Sequence, residues 1–178
     1  MNEKTPTKED PLVALARQAV ESYVQERRVI RSEPLPGLEQ RRAGVFVSLH
    51  LPDGSLRGCI GTTQPTRPVI EDEIVQNAIS AATRDPRFLP VGPQELAGLD
   101  ISVDVLGEAE EVSGPEELDP SQFGIIVQAD DGRQALLLPD LEGVDTVDQQ
   151  VGITCRKGGI DPRRDRYRLF RFQVERHH

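Results

Sequence analysis

Tryptophan is absent, methionine occurs once, and cysteine occurs only at positions 59 and 155 of the 178 residues. Two cysteines cannot build a disulfide scaffold. A chain of this length buries roughly 70% of the surface its unfolded form exposes, so it needs neither disulfide nor metal to fold. The expectation is a pair of reduced thiols in a cytoplasmic protein. No apolar run approaches the roughly 18 residues of a membrane span. The opening stretch from Met1 to Asp10 also lacks the apolar segment of a secretory signal.

Positive charge is outnumbered, with 21 Lys and Arg against 30 Asp and Glu, a net charge of −9. That balance argues against nucleic acid as a partner, because phosphate binding draws on clustered cations. The arginine-rich run from Arg163 to Arg171 offers only Tyr167 and Phe170 as stacking platforms. His50, Cys59, Asp104 and Cys155 have no recognisable ligand spacing, so no metal site is expected. Neither a Walker sequence nor a G-x-G-x-x-G follows any strand, and no cofactor is expected.

What remains is ordinary globular composition, 37% hydrophobic and 29% charged, suited to one domain or two closely packed lobes. Residues 1–10 are polar and read as a flexible N-terminus. Asp10-Pro11 reads as a helix cap followed by proline at the first helical position. Leu12, Leu15, Ala16, Ala19, Val20, Tyr23 and Val24 recur at helical spacing, which predicts a helix over about 11–29. Val45, Val47, Leu49 and Leu51 alternate with Phe46, Ser48 and His50, and Pro52-Asp53-Gly54-Ser55 supplies a turn. A second strand over Leu56 to Thr62 completes the hairpin. A second helix is expected from Pro68 to about Arg84, stopped by Asp85-Pro86.

Further on, Gln94 to Ala97 suggests one helical turn, and Ile101, Val103 and Val105 mark a strand. A second hairpin is expected over Ile125 to Leu138 around Asp130-Asp131-Gly132. A helix capped by Asp145 should run to Lys157, and a closing strand should run from Tyr167 to Val174. Residues 176–178 read as a tail, and His177-His178 fit a purification-tag remnant as readily as native sequence. Short antiparallel connections among helices favour α+β over a doubly wound parallel fold.

Charge is unevenly spread. Twelve acidic residues lie between Glu108 and Asp148 with only Arg133 against them, and eight basic residues lie between Arg156 and Arg176. Two solvated faces that attract one another account for this, and so does a docking surface for an anionic ligand or partner.

The least ordinary string is Leu56-Arg57-Gly58-Cys59-Ile60-Gly61-Thr62. Two glycines weaken a strand, and glycine there often marks close approach of a ligand or a neighbouring chain. At a period of two, Arg57, Cys59 and Gly61 share one face, while Gly58, Ile60 and Thr62 share the other. A thiol one step from a guanidinium is where a thiolate could be stabilised, although free cysteine is more often a small buried hydrophobe.

This string resembles the hallmark motif of the AMMECR domain family, which includes protein A of the AmmeMemoRadiSam system. The resemblance continues through Asn77 to Ala82, Asp85-Pro86-Arg87-Phe88, Glu95 to Leu99, Ile101 to Leu106, Ala135 to Pro139 and Cys155 to Gly159. It covers residues 11–175 in consistent order. The chain departs from the family in lacking tryptophan and in carrying Gly158 where alanine is more usual. The resemblance implies a two-lobed α+β domain, an antiparallel sheet flanked by helices, with the cysteine motif near a cleft between the lobes. It also implies a pathway shared with a radical S-adenosylmethionine protein and a Memo-like protein as partners.

Two functional expectations follow. In one, the segment binds a small anionic ligand or partner, with Arg57, Gly58, Gly61, Thr62, Arg84 and Arg87 as binding residues. In the other, Cys59 is a nucleophile or redox thiol, and His50 or Asp104 moves protons. Bland readings stand beside these. Arg84 and Arg87 suit a helix C-terminus with an internal Arg–Asp pair, Asp104 suits the wet side of a strand, and His50 suits a surface position.

Overall fold

The computed structural model describes residues 9–178, and the expectation of flexibility for residues 1–8 lies outside them. Helices combine with two antiparallel sheets, an α+β fold. The chain divides into two compact units, one of residues up to 105 plus 176–178 and one of residues 106–175.

The first unit opens with α1 (Pro11–Glu26). The Asp10 carboxylate accepts the Leu12 N–H at 2.8 Å, which satisfies one of the orphan donors of the first turn. The helix ends three residues before the expected position. Arg27 takes φ 55°, a left-handed conformation that stops the hydrogen-bond ladder.

β1 (Val45–His50) pairs with β2 (Leu56–Gly61) through the expected hairpin. β1 also pairs with β3 (Asp100–Leu106), giving the sheet order β2-β1-β3-β8, where β8 is Val174–His177. α2 (Ile70–Thr83) packs on β1 and β2. It begins two residues after Pro68, because Glu73 turns back to accept the N–H groups of Thr66 and Arg67 at 2.7 and 2.8 Å. Val45, Val47, Leu49, Ile101 and Val103 from the sheet join Val20, Ile70, Ile74 and Ile79 from the helices in one apolar cluster. Burying these side chains is the main stabilising term of the unit.

The second unit holds β4 (Glu110–Val112), β5 (Gly124–Ala129), β6 (Gln134–Leu137), α3 (Val147–Lys157) and β7 (Tyr167–Phe172). Its sheet order is β4-β7-β5-β6. α3 is capped by Thr146, whose hydroxyl accepts the Gln149 N–H at 3.2 Å while the Gln149 side chain accepts from the Thr146 N–H; the expected Asp145 is not the cap. Placing β7 between β4 and β5 brings the basic C-terminal run against the acidic strand β4. Arg171 lies 3.4 Å from Glu110 and Arg168 lies 3.7 Å from Glu111.

Two sequence expectations give way near the C-terminus. The closing strand breaks at Gln173, so Phe172 and Val174 sit in different strands. The expected tail is strand β8. Arg176 there pairs with Asp104 at 2.8 Å, and the His177 Nδ1 lies 2.9 Å from the Asp10 carboxylate.

Candidate functional site

The register of the first hairpin builds the site. Alternation along β1 sends Val45, Val47 and Leu49 into the core and Phe46, Ser48 and His50 to the opposite face. Pairing sets Ser48 opposite Cys59 on one side and opposite Ser102 on the other. The result is a lateral row of Cys59, Ser48 and Ser102 on the face away from α2. The Ser48 hydroxyl donates to the Cys59 sulfur at 3.3 Å.

Gly58 faces the other way. A Cβ there would collide with the Ala81 carbonyl oxygen of α2, so the glycine allows helix and strand to approach closely. At Gly61 a Cβ would run into the Phe46 ring. The Thr62 hydroxyl donates to the Glu73 carboxylate at 2.7 Å. These three residues are therefore used within the chain.

β2 is an edge strand, and an open edge presents unpaired N–H groups. Here the segment after α2 covers it. The Asp85 carboxylate accepts the Cys59 N–H at 2.9 Å, the Arg87 N–H at 3.0 Å, and Arg87 Nε and Nη2 at 3.0 and 2.7 Å. This is the internal Arg–Asp pair expected from the sequence. The Arg87 guanidinium beside it, the burial opposing it and the Cys59 N–H leave the Asp85 carboxyl well below the usual carboxylate range.

Arg57 holds the same segment from its other end. It makes a two-point pair with Glu95 at 2.7 and 3.0 Å, and its Nη1 donates to the Leu89 carbonyl at 3.0 Å. The paired Arg57 keeps the Glu95 carboxyl low, and Glu95 in turn accepts the Gly92 N–H at 2.7 Å. The Phe88 ring lies within 6.0 Å of the Arg57 guanidinium carbon and 5.4 Å of that of Arg87. Leu89 is left 84% exposed.

The Cys59 thiol is half-buried. Burial pushes it up, the Ser48 hydrogen bond and the Arg87 charge pull it down, and the nearby Asp104 and Asp85 carboxylates push it up again, leaving it above the ordinary thiol value. The neighbouring guanidinium that sequence spacing offered, Arg57, is engaged by Glu95 instead. The stabilised thiolate expected from that spacing is thus not what the surroundings favour.

The other named residues fall as follows. His50 stands opposite Leu56 and Asp100 next to an irregularity in the ladder, so Ser48 and not His50 is the neighbour of the thiol. Asp104 is buried and pairs with Arg176, so it does not lie on the wet side of its strand as expected. Arg84 caps α2, is exposed and makes no ion pair among the described residues. Arg87 has its side chain 55% exposed, and among the described residues its Nη1 has no bonding partner.

Sequence reasoning missed Ser48, Glu95 and Glu73. Ser48 was legible, because centring the hairpin on Asp53-Gly54 places it opposite Cys59. Glu95 and Glu73 left no local signal. Among the described residues no group of histidine, cysteine and carboxylate side chains could hold a metal ion.

The family model described as AMMECR1 matches residues 13–177. The chain belongs to the AMMECR1 family. A Thermotoga maritima member is 50% identical to it, spanning 95% of this chain and 98% of the relative. A Methanothermobacter thermautotrophicus member is 39% identical, spanning 94% and 92%. Protein CA_C1420 of Clostridium acetobutylicum is 44% identical, and this chain spans only 37% of its length. Among solved structures, the crystal structure of uncharacterized protein PH0010 from Pyrococcus horikoshii matches with a TM-score of 0.83 at 31% identity, over 93% of this chain and 88% of that one. In this AMMECR1-family chain, then, the Leu56–Thr62 segment anchors the loop from Asp85 to Gly92 along a sheet edge.

Proposed function

We propose that this protein is a binding component, taking a small anionic ligand or an anionic part of a partner on the Arg84–Leu89 segment beside Leu56–Thr62. One observation carries the reading. The polar atoms of the strand segment hold that loop in place, while Arg84 and one edge of the Arg87 guanidinium point outward beside the exposed Leu89. A guanidinium braced by a buried carboxylate is preorganised, so little further side-chain ordering accompanies anion capture. The resemblance supports a place in a pathway with radical S-adenosylmethionine and Memo-like proteins, and two free thiols accord with the reducing cytoplasm.

The reading of Cys59 as nucleophile or redox thiol has less behind it, because burial and two carboxylates favour the protonated thiol. An amide NMR titration with inorganic phosphate and with malonate at low salt tests the proposal. Shifts confined to residues 57–61 and 84–89, lost in Arg84→Gln/Arg87→Gln, are expected. Absence of site-specific shifts with both anions would sink it.

A further inference from the structure

A second set of exposed cations belongs to the other unit. After α3 the chain passes through Gly158 and Gly159 into a tight turn over residues 161–165, closed by the Asp165 N–H donating to the Asp161 carbonyl at 2.8 Å. The turn is fixed from several sides. Ile160 is buried, Arg133 donates to the Gly159 carbonyl, and Arg133 Nη2 pairs with Asp165 at 2.9 Å.

The acidic side chains of the turn are used internally. Asp161 accepts the Arg163 N–H at 3.0 Å, and Asp165 accepts the Asp161 N–H at 2.7 Å. Asp131 is held by Arg133 at 2.6 Å, which leaves Asp130 at the rim. Arg156, Arg163 and Arg166 are exposed and make no ion pair among the described residues, and Arg164 is 85% exposed with only a loose 3.6 Å contact to Asp161. The arrangement is a braced turn presenting four guanidinium groups within eleven residues of sequence, Arg156 to Arg166.

From this geometry we infer that the turn after α3 is a docking surface for an acidic segment of a partner protein. Guanidinium groups on a fixed backbone recognise carboxylates with two-point geometry at little ordering cost. Nucleic acid fits less well. The cations lie within eleven residues instead of along an extended stripe, and no aromatic residue lies between Arg156 and Arg166. A lipid surface fits less well too, since Ile160, the aliphatic residue of this turn, is buried.

The test is fluorescence anisotropy with a labelled decaglutamate peptide at low ionic strength, compared with a single-stranded oligonucleotide of equal charge. Wild type is expected to bind the peptide, with affinity falling as salt rises. Arg156→Ser/Arg163→Ser/Arg166→Ser should bind at least about tenfold more weakly, the loss expected on removing three exposed charge pairs. Arg28→Gln, an exposed arginine of the other unit outside the site described above, should bind as wild type does. Circular dichroism checks that the triple variant is folded, and Arg163→Ser/Arg166→Ser serves if it is not. Equal peptide affinity in wild type and the folded variant, no binding by wild type, or tighter binding of the oligonucleotide than of the peptide would each overturn the inference.

Discussion

The carboxylate of Asp85 accepts the backbone N–H of Cys59 at 2.9 Å, so a residue just past the end of the second helix occupies the place of a missing neighbour strand. The same carboxylate binds Arg87 at two points, which couples the edge of the sheet to the loop carrying the exposed cation.

Replacing Asp85 by Asn therefore removes a charge from Arg87 and sets an amide donor against other donors. Arg87 is half exposed, so water absorbs part of its uncompensated charge, and a loss of about 2 kcal/mol is expected. The Asp85 carboxyl is held below its unfolded value, so its stabilising contribution is complete above roughly pH 5 and fades as pH falls through and below the unfolded carboxylate value near 3.9. Urea unfolding of wild type and Asp85→Asn should show a gap at pH 7 that narrows by pH 3. A gap that is constant or grows on acidification would contradict the pairing.

The Cys59 thiol should be sluggish toward iodoacetamide. In a Cys155→Ala background its labelling rate should rise only above the free-thiol range near pH 8.5, because burial opposes the thiolate. Cys59→Ser should lose no more than about 1 kcal/mol, since the Ser48 hydroxyl can bond an oxygen as readily as a sulfur. Rapid labelling at neutral pH would restore the nucleophile reading.

Gly58→Ala should be more damaging than its chemistry suggests. The added methyl meets the Ala81 carbonyl, which is backbone and cannot rotate away, so α2 must shift off the strand. Overpacking of this kind costs about 1–3 kcal/mol, with the upper end expected here. Gly54→Ala at the hairpin tip meets no atom but sits at φ 82°, and strain there should cost about 1 kcal/mol. Thermal melts that rank the two variants in the reverse order would show that Gly58 is not a packing position.

Glu73 is almost completely buried, and hydrogen bonds hold it ionised. Burial pushes its carboxyl up, and the Thr62 and Thr66 hydroxyls with the Thr66 and Arg67 N–H groups together hold it below the ordinary value. Four donors converge on it, so Glu73→Gln turns an amide donor toward them and should cost about 2–3 kcal/mol. Chemical denaturation measures this, and an unchanged midpoint would mean that the donors find water instead.

Much of this was readable before folding. Asp10-Pro11 announces α1 because capping and a fixed φ act within one turn of helix. The apolar alternation of β1 and the Asp53-Gly54 turn determine the hairpin and, through it, the opposition of Ser48 and Cys59. Local rules reach only that far. Arg57 finds Glu95 at 38 residues' distance, Cys59 finds Asp85 at 26, and Asp104 finds Arg176 at 72. No spacing rule links such pairs, because only the path of the chain through the core decides which charges meet. The sequence by itself determined the family, the hairpin and the glycine-flanked cysteine. The tertiary structure alone decided that the cysteine is half-buried, that Arg57 is a brace, and that Arg84 and about half of the Arg87 side chain stay exposed.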